Sequence, residues 1–202
     1  MSYFVTGGTG FLGRYLVGNL LKRKGTIHVL VRKGSEKKLD AIAGKMGWDR
    51  RRIVVVTGDL AKPKLGLSAA QVKALTGKVQ HFFHLAAIYD LAADAESQKI
   101  ANVEGTKHAL ELAQAIKAGC FHHTSSIAAA GLYPGVFRED MFEEAEELDH
   151  PYHSTKHDSE AMVRANGKVP FRIYRPGIVL GHSQTGVIDK IDGPYYFFKA
   201  LQ

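Results

Sequence analysis

Short apolar runs recur along the chain, and between them apolar positions fall three and four residues apart. The runs predict strands at residues 2–6, 27–31, 53–57, 80–85, 120–125 and 170–175. The helical spacing predicts helices over 11–24, 35–46, 68–76, 94–118 and 151–166, the third opening on Ser68-x-x-Gln71, a capping box. Strands that alternate with helices long enough to return the chain to the same side make an α/β fold, a doubly wound parallel sheet. No repeat, low-complexity tract or linker divides the chain, so residues 1–202 are expected to form one domain. The acidic stretch from Glu139 to Asp149 reads as a solvated loop ahead of the last helix. Beyond the last strand the chain ends in Gly193-Pro-Tyr-Tyr-Phe-Phe-Lys-Ala-Leu-Gln202, an apolar helical beginning with no partner in sequence. The expectation is a truncated sequence, with the rest of a substrate pocket beyond Gln202.

Composition changes this picture little. With 45% hydrophobic and 23% charged residues, the 202-residue chain is an ordinary globular domain able to bury a core. No apolar run reaches the roughly 18 residues that span a bilayer, and Met1 leads straight into a strand. A cytoplasmic location without an integral membrane segment is expected. Cys120 is the only cysteine, which excludes an internal disulfide and reads as a packed thiol. The net charge of +7 raises a nucleic-acid reading. Placement argues against it: Lys22-Arg23-Lys24 is expected to close the first helix and Arg50-Arg51-Arg52 precedes a strand, both at the N-terminal edge of the sheet.

Candidate chemistry starts right after the first strand, in Thr6-Gly-Gly-Thr-Gly-Phe-Leu-Gly13. Glycines at 7, 10 and 13 permit a tight strand-to-helix turn and a close approach of backbone to a pyrophosphate, which then rests on the helix N-terminus. Gly7, Thr9, Gly10, Phe11, Leu12 and Gly13 are therefore candidate cofactor residues of a dinucleotide-binding, Rossmann-type domain. The second strand ends in Arg32-Lys33 where an NAD enzyme usually carries an acid. A guanidinium there pairs with a 2′-phosphate that a carboxylate would repel, so Arg32 points to NADPH. Asp59 and Leu60, ending the third strand, either approach the adenine or, for Asp59, cap the turn before Pro63.

Tyr152 and Lys156 stand four residues apart on the last predicted helix, hence on one face about 6 Å apart. A phenol with an ordinary pKa of about 10 is a poor acid near neutrality, but a fixed cation beside it favours the phenolate. Tyr152 would then act as a general acid. The alternative is two exposed residues that share this spacing by chance.

TGGTGFLG, GDL at 58–60, HLAA at 84–87, NVEGT at 102–106, TSS at 124–126, YHSTK at 152–156 and YRPG at 174–177 occur in an order that resembles the extended short-chain dehydrogenase/reductases. More narrowly, HHTSSIAAAG, FREDMFEEAEELDHPY and VPFRIYRPG resemble the N-terminal reductase half of bacterial two-domain fatty acyl-CoA reductases, whose chains continue well past this length. The resemblance implies a catalytic triad of Ser126, Tyr152 and Lys156: Ser126 polarises a carbonyl that receives hydride, Tyr152 protonates its oxygen, and Lys156 also holds the nicotinamide ribose. Ser125 and Thr124 remain alternatives to Ser126. It further implies that Ala86 and Ala87 line the cofactor's path and that Pro176 and Gly177 meet the nicotinamide. Asn102 either orders the active-site backbone or is a buried, satisfied amide. Tyr89 and Tyr133 either meet substrate or pack. His122, His123, His150, His153 and His157 suggest a metal, but no carboxylate or cysteine completes a ligand set, and none is expected.

The resulting expectation is an NADPH-dependent reductase of a long-chain fatty acyl-CoA or fatty aldehyde, toward the fatty alcohol, with a C-terminal reductase domain in the full-length chain as its partner. A nucleotide-sugar epimerase or dehydratase shares the same triad, and a non-catalytic cofactor-sensing module shares the fold.

Overall fold

The computed structural model describes residues 1–88, 94–188, 195, 197 and 201. Six strands, β1 (Ser2–Thr6), β2 (Thr26–Val31), β3 (Ile53–Thr57), β4 (Val79–His84), β5 (Cys120–Thr124) and β6 (Phe171–Tyr174), form one parallel sheet in the order β3-β2-β1-β4-β5-β6. The doubly wound α/β expectation therefore holds, and each strand lies within two residues of its expected ends. The helices are α1 (Phe11–Leu21), α2 (Glu36–Met46), α3 (Ala69–Leu75), α4 (Ala95–Gln98), α5 (Gly105–Ala115) and α6 (Pro151–Arg164).

All five residues of β1 are buried, because its two faces meet different cores. Tyr3 and Val5 pack with Ile27, Val29 and Val31 beneath Val17, Leu20 and Leu39 from α1 and α2. Phe4, with Phe82 and Phe121, packs under Leu75, Leu112, Ala113 and Val163 from α3, α5 and α6. Period-two alternation thus fills both faces of the central strand with apolar side chains. The sequence order reverses between β1 and β4, so a crevice opens there at the C-terminal edge of the sheet.

Three departures from the sequence expectation have identifiable causes. The helix expected to reach residue 24 ends at Leu21, so Lys22 is its cap and Arg23 and Lys24 lie beyond it. Arg52 gathers the chain there: its guanidinium donates to the carbonyl oxygens of Leu21 at 2.7 Å, Gly25 at 2.7 Å and Arg23. The single helix expected over 94–118 is α4 and α5 joined by a π-helical stretch, Lys99–Glu104. The capping box on Ser68 and Gln71 is present, but the expected acidic loop is less solvated than its charge implies, since Met141 and Phe142 are buried.

Candidate active site

The glycine turn sits at the crevice between β1 and β4. Gly7 has φ +71°, open to glycine at little cost, and a Cβ there would lie 2.7 Å from the Ala86 nitrogen. A Cβ on Gly13 would lie 2.0 Å from the Gly7 carbonyl oxygen, so the start of α1 packs directly on the turn. Gly10 caps α1 with no side-chain bond, and no acid occupies the first turn, so the Phe11, Leu12 and Gly13 N–H groups have no acceptor within the helix. Thr9 and Phe11 are half-buried beside an exposed Gly10, and Leu12 is exposed. Such a turn fits the pyrophosphate of a nicotinamide dinucleotide. Arg32 lies exposed just past β2 on the same edge of the sheet, where its guanidinium could hold a 2′-phosphate.

A buried hydrogen-bond chain fastens the other wall of the crevice. Thr106 Oγ1 donates its one proton to the Asn102 carbonyl at 2.6 Å, so it accepts from His84 Nε2 at 3.2 Å. His84 Nδ1 is then an acceptor, taking the Thr6 hydroxyl proton at 2.8 Å, and Thr6 Oγ1 accepts the Ala86 N–H at 3.3 Å. The partners fix the neutral Nε2-H tautomer. Burial, with a smaller contribution from Lys156, pushes the His84 pKa down to about 3. The π-helical stretch carries Asn102, whose amide accepts from Ile88 N at 2.9 Å and donates to Ile88 O and Thr155 Oγ1, each at 3.3 Å. Asn102 is therefore both a satisfied buried amide and the tie between the chain after β4 and α6.

Sequence reasoning gave no role to His84, although it opens the HLAA motif. It also passed over His108, whose Nδ1 donates to the Leu60 carbonyl at 2.8 Å and holds the segment after β3. Asp59 lies two residues past β3, and its Oδ1 accepts the Ala61 N–H at 3.0 Å, the bond that caps a turn.

Pro151 at the first turn and His150, whose Nδ1 accepts the Tyr152 N–H at 3.1 Å, start α6 where the candidate dyad needs it. Tyr152 is 6% exposed and Lys156 5%. Lys156 Nζ donates to the Thr124 carbonyl at 3.3 Å, at the end of β5. Burial alone pushes its pKa down to about 8, so it remains mostly an ammonium at neutral pH. The chance reading of the Tyr-x-x-x-Lys spacing as two solvent-exposed residues does not fit this burial.

Ser126 lies two residues beyond β5 rather than at its end, and caps a short 3-10 turn, Ile127–Ala130, by accepting the Ala128 N–H at 3.1 Å. Ser125 is committed elsewhere, donating to Glu160 Oε2 at 2.7 Å. Ile127 N donates to the Pro176 carbonyl at 3.1 Å, so the end of β6 lies beside Ser126, and Gly177 adjoins Ile127. The C-terminal edge thus carries the glycine turn, Arg32, Asp59, Ala86, Ala87, Ser126 and Pro176 just past the ends of the strands.

Tyr133, His157 and His122 have packing or hydrogen-bond partners of their own. Tyr133 meets Phe137 edge-on at 5.4 Å, and Tyr89 lies outside the described residues. His157 donates to the Ala129 carbonyl at 3.0 Å and stacks on Phe142 at 4.3 Å. His122 bonds His81 at 3.0 Å and Tyr174 at 2.9 Å. Among the described residues no helix is long and apolar enough to cross a membrane.

Residues 5–202 match the model of a family of NAD-binding domains described as male sterility protein. The chain belongs to this family. It is an extended short-chain dehydrogenase/reductase domain, as its motif order implied. It is 37% identical over 205 residues to a linear gramicidin synthase of Brevibacillus parabrevis, covering 93% of this chain and 4% of that protein. It is 30% identical over 211 residues to the aldehyde reductase lnaA of Aspergillus flavus, covering 94% of this chain and 20% of that one. Among solved structures, the terminal R domain of the myxalamid PKS–NRPS biosynthetic pathway superposes with a TM-score of 0.85 at 31% identity, covering 98% of this chain and 54% of that one. The domain therefore spans a small part of these curated relatives and about half of the solved R domain.

Proposed function

We propose that this domain takes part in the NADPH-dependent reduction of an acyl carbonyl, presented as a thioester or an aldehyde. The observation that carries the reading is Lys156: a buried ammonium, depressed by burial alone, one helical turn from Tyr152 and bonded to the strand that leads to Ser126. A cation in that setting gains most from an anion forming beside it. When the Tyr152 phenol gives its proton to a substrate oxygen, the phenolate left behind supplies that anion, so the pair favours proton donation. Ser126, with its oxygen accepting from Ala128, still has its own proton to donate to the same carbonyl oxygen. Bound NADPH supplies the hydride for the carbonyl carbon. Arg32 supports the choice of NADPH, and the glycine turn supports the placement of its pyrophosphate.

The substrate class follows the relatives. The fatty acyl-CoA expected from sequence is one thioester; the resemblance to a gramicidin synthase and to the R domain of a PKS–NRPS pathway supports a peptidyl thioester instead, whose carbonyl takes the hydride and the proton and whose C–S bond then breaks to release the thiol and an aldehyde. The aldehyde reductase lnaA supports the same carbonyl chemistry. The test is NADPH oxidation by the full-length gene product with three substrates: a peptidyl pantetheine thioester, a long-chain acyl-CoA and the matching fatty aldehyde. Turnover of the peptidyl thioester above the acyl-CoA is expected. Preference for the acyl-CoA returns the assignment to the fatty acyl-CoA reductase expected from sequence, and activity on none of the three refutes the reductase reading.

A further inference from the structure

Behind the candidate dyad lies a buried ion cluster that the chemistry above does not use. Glu160 is fully buried on α6, one turn past Lys156 and two past Tyr152. Its carboxylate accepts from four directions: Ser125 Oγ at 2.7 Å, Arg164 Nε at 2.8 Å, Arg175 Nε at 3.0 and 3.1 Å, and Arg175 Nη2 at 2.5 Å. Burial pushes the carboxyl up, but the hydrogen bonds from Arg175, Ser125 and Arg164 outweigh it and hold Glu160 below the usual carboxylate range.

Arg175 reaches further. The same guanidinium donates to the Met141 carbonyl at 2.8 Å and the Arg138 carbonyl at 3.3 Å, and lies 5.1 Å from the centre of the Phe137 ring. Arg164 in turn stands 4.7 Å over Phe142, which stacks on His157 of α6. One carboxylate and one guanidinium thus join α6, the residue before Ser126, the end of β6 and the loop at 138–142. Only a planar fork with several fixed donors can make these bonds at once; an ammonium cannot.

We infer that Glu160 and Arg175 are positioning residues that hold Ser126 and the 138–142 loop in fixed register with Tyr152 and Lys156. The inference rests on the reductase reading for its catalytic consequence. Its geometric half stands without that reading. The glycine turn lies on the other side of β4 from either partner, so pyrophosphate binding, and with it most of the affinity for the cofactor, is separable from the placement of the catalytic groups.

The test uses Glu160→Gln, which keeps shape and removes charge, and Arg175→Lys, which keeps charge and removes the fork. Amide hydrogen exchange of the full-length protein, without substrate, is expected to show protection falling at least tenfold at 125–132 and 138–146 in both variants, with β1 and α1 unchanged. In turnover, kcat is expected to fall at least tenfold while the NADPH Kd stays within threefold. Unchanged local exchange overturns the inference. So does wild-type kcat in a folded variant. Uniform loss of protection across the whole chain in both variants assigns the pair to folding alone and also overturns it. If the wild-type protein reduces no thioester or aldehyde, the reductase reading fails, and the exchange result still decides the clamp.

Discussion

Lys156 Nζ reaches the Thr124 carbonyl oxygen at 3.3 Å from a side chain only 5% exposed, with burial as the sole cause of its lowered pKa of about 8. An unfolded lysine binds its proton up to its ordinary pKa of 10.5, so between pH 8 and 10.5 the unfolded state binds more protons than the folded one. The buried ammonium costs stability in full below pH 8, on the order of 3 kcal/mol, and the cost is relieved as pH rises through that window. Lys156→Met is therefore expected to be more stable than wild type at pH 7, by about 1–2 kcal/mol after loss of the Thr124 hydrogen bond, while losing activity. Denaturant unfolding at pH 7 and pH 10 checks this: the advantage shrinks at the higher pH.

His84 gives the opposite end of the pH scale. Its folded pKa of about 3 lies below the ordinary 6.5, so the unfolded state takes up a proton that the folded state refuses as pH falls from 6.5 towards 3. Stability is expected to decline over that range. His122, pushed down to about 4 chiefly by burial, adds to the slope. A midpoint of urea unfolding that is flat from pH 6.5 to 4.5 would contradict this.

Glycines in two helices should respond with opposite signs. Alanine at Gly13 would place a Cβ 2.0 Å from the Gly7 carbonyl oxygen and 2.8 Å from Gly8 Cα, contacts with backbone that cannot yield. Gly13→Ala is expected to cost about 2–3 kcal/mol and to weaken NADPH binding. Gly44, inside α2, has nothing within 4 Å of the place an added methyl would take, and Gly44→Ala is expected to stabilise by about 0.5–1 kcal/mol with cofactor affinity unchanged. Thermal unfolding and fluorescence titration of NADPH separate the two.

Arg32 stands exposed past β2. Losing a charge-assisted pair with a 2′-phosphate costs about 1.5–3 kcal/mol, so Arg32→Ala is expected to weaken NADPH binding by roughly 10- to 100-fold and NADH binding by no more than about twofold. Equal losses for both nucleotides would contradict the NADPH assignment.

Much of this was legible in the chain because local pattern and fold agree. The run at 53–57 is β3 to the residue, and the glycine turn, Arg32 and Ser126 all fall just past strand ends on one edge. What the pattern concealed depends on distant partners. The first helix stops at Leu21 where Arg52, thirty-one residues on, takes its carbonyl. The long helix breaks into a π-helical stretch around Asn102, whose amide serves Ile88 and Thr155. The bond that occupies the Ser125 hydroxyl goes to Glu160, on another element altogether. The roles of His84 and His108 likewise required the residues opposite them.

The central claim is that Tyr152 donates the proton to the reduced carbonyl from beside a buried Lys156 ammonium. Steady-state turnover of Tyr152→Phe in the full-length protein, alongside NADPH binding measured by fluorescence, tests it most directly. The account predicts kcat lower by roughly 10²- to 10⁴-fold with NADPH affinity retained. Turnover at the wild-type rate would contradict it.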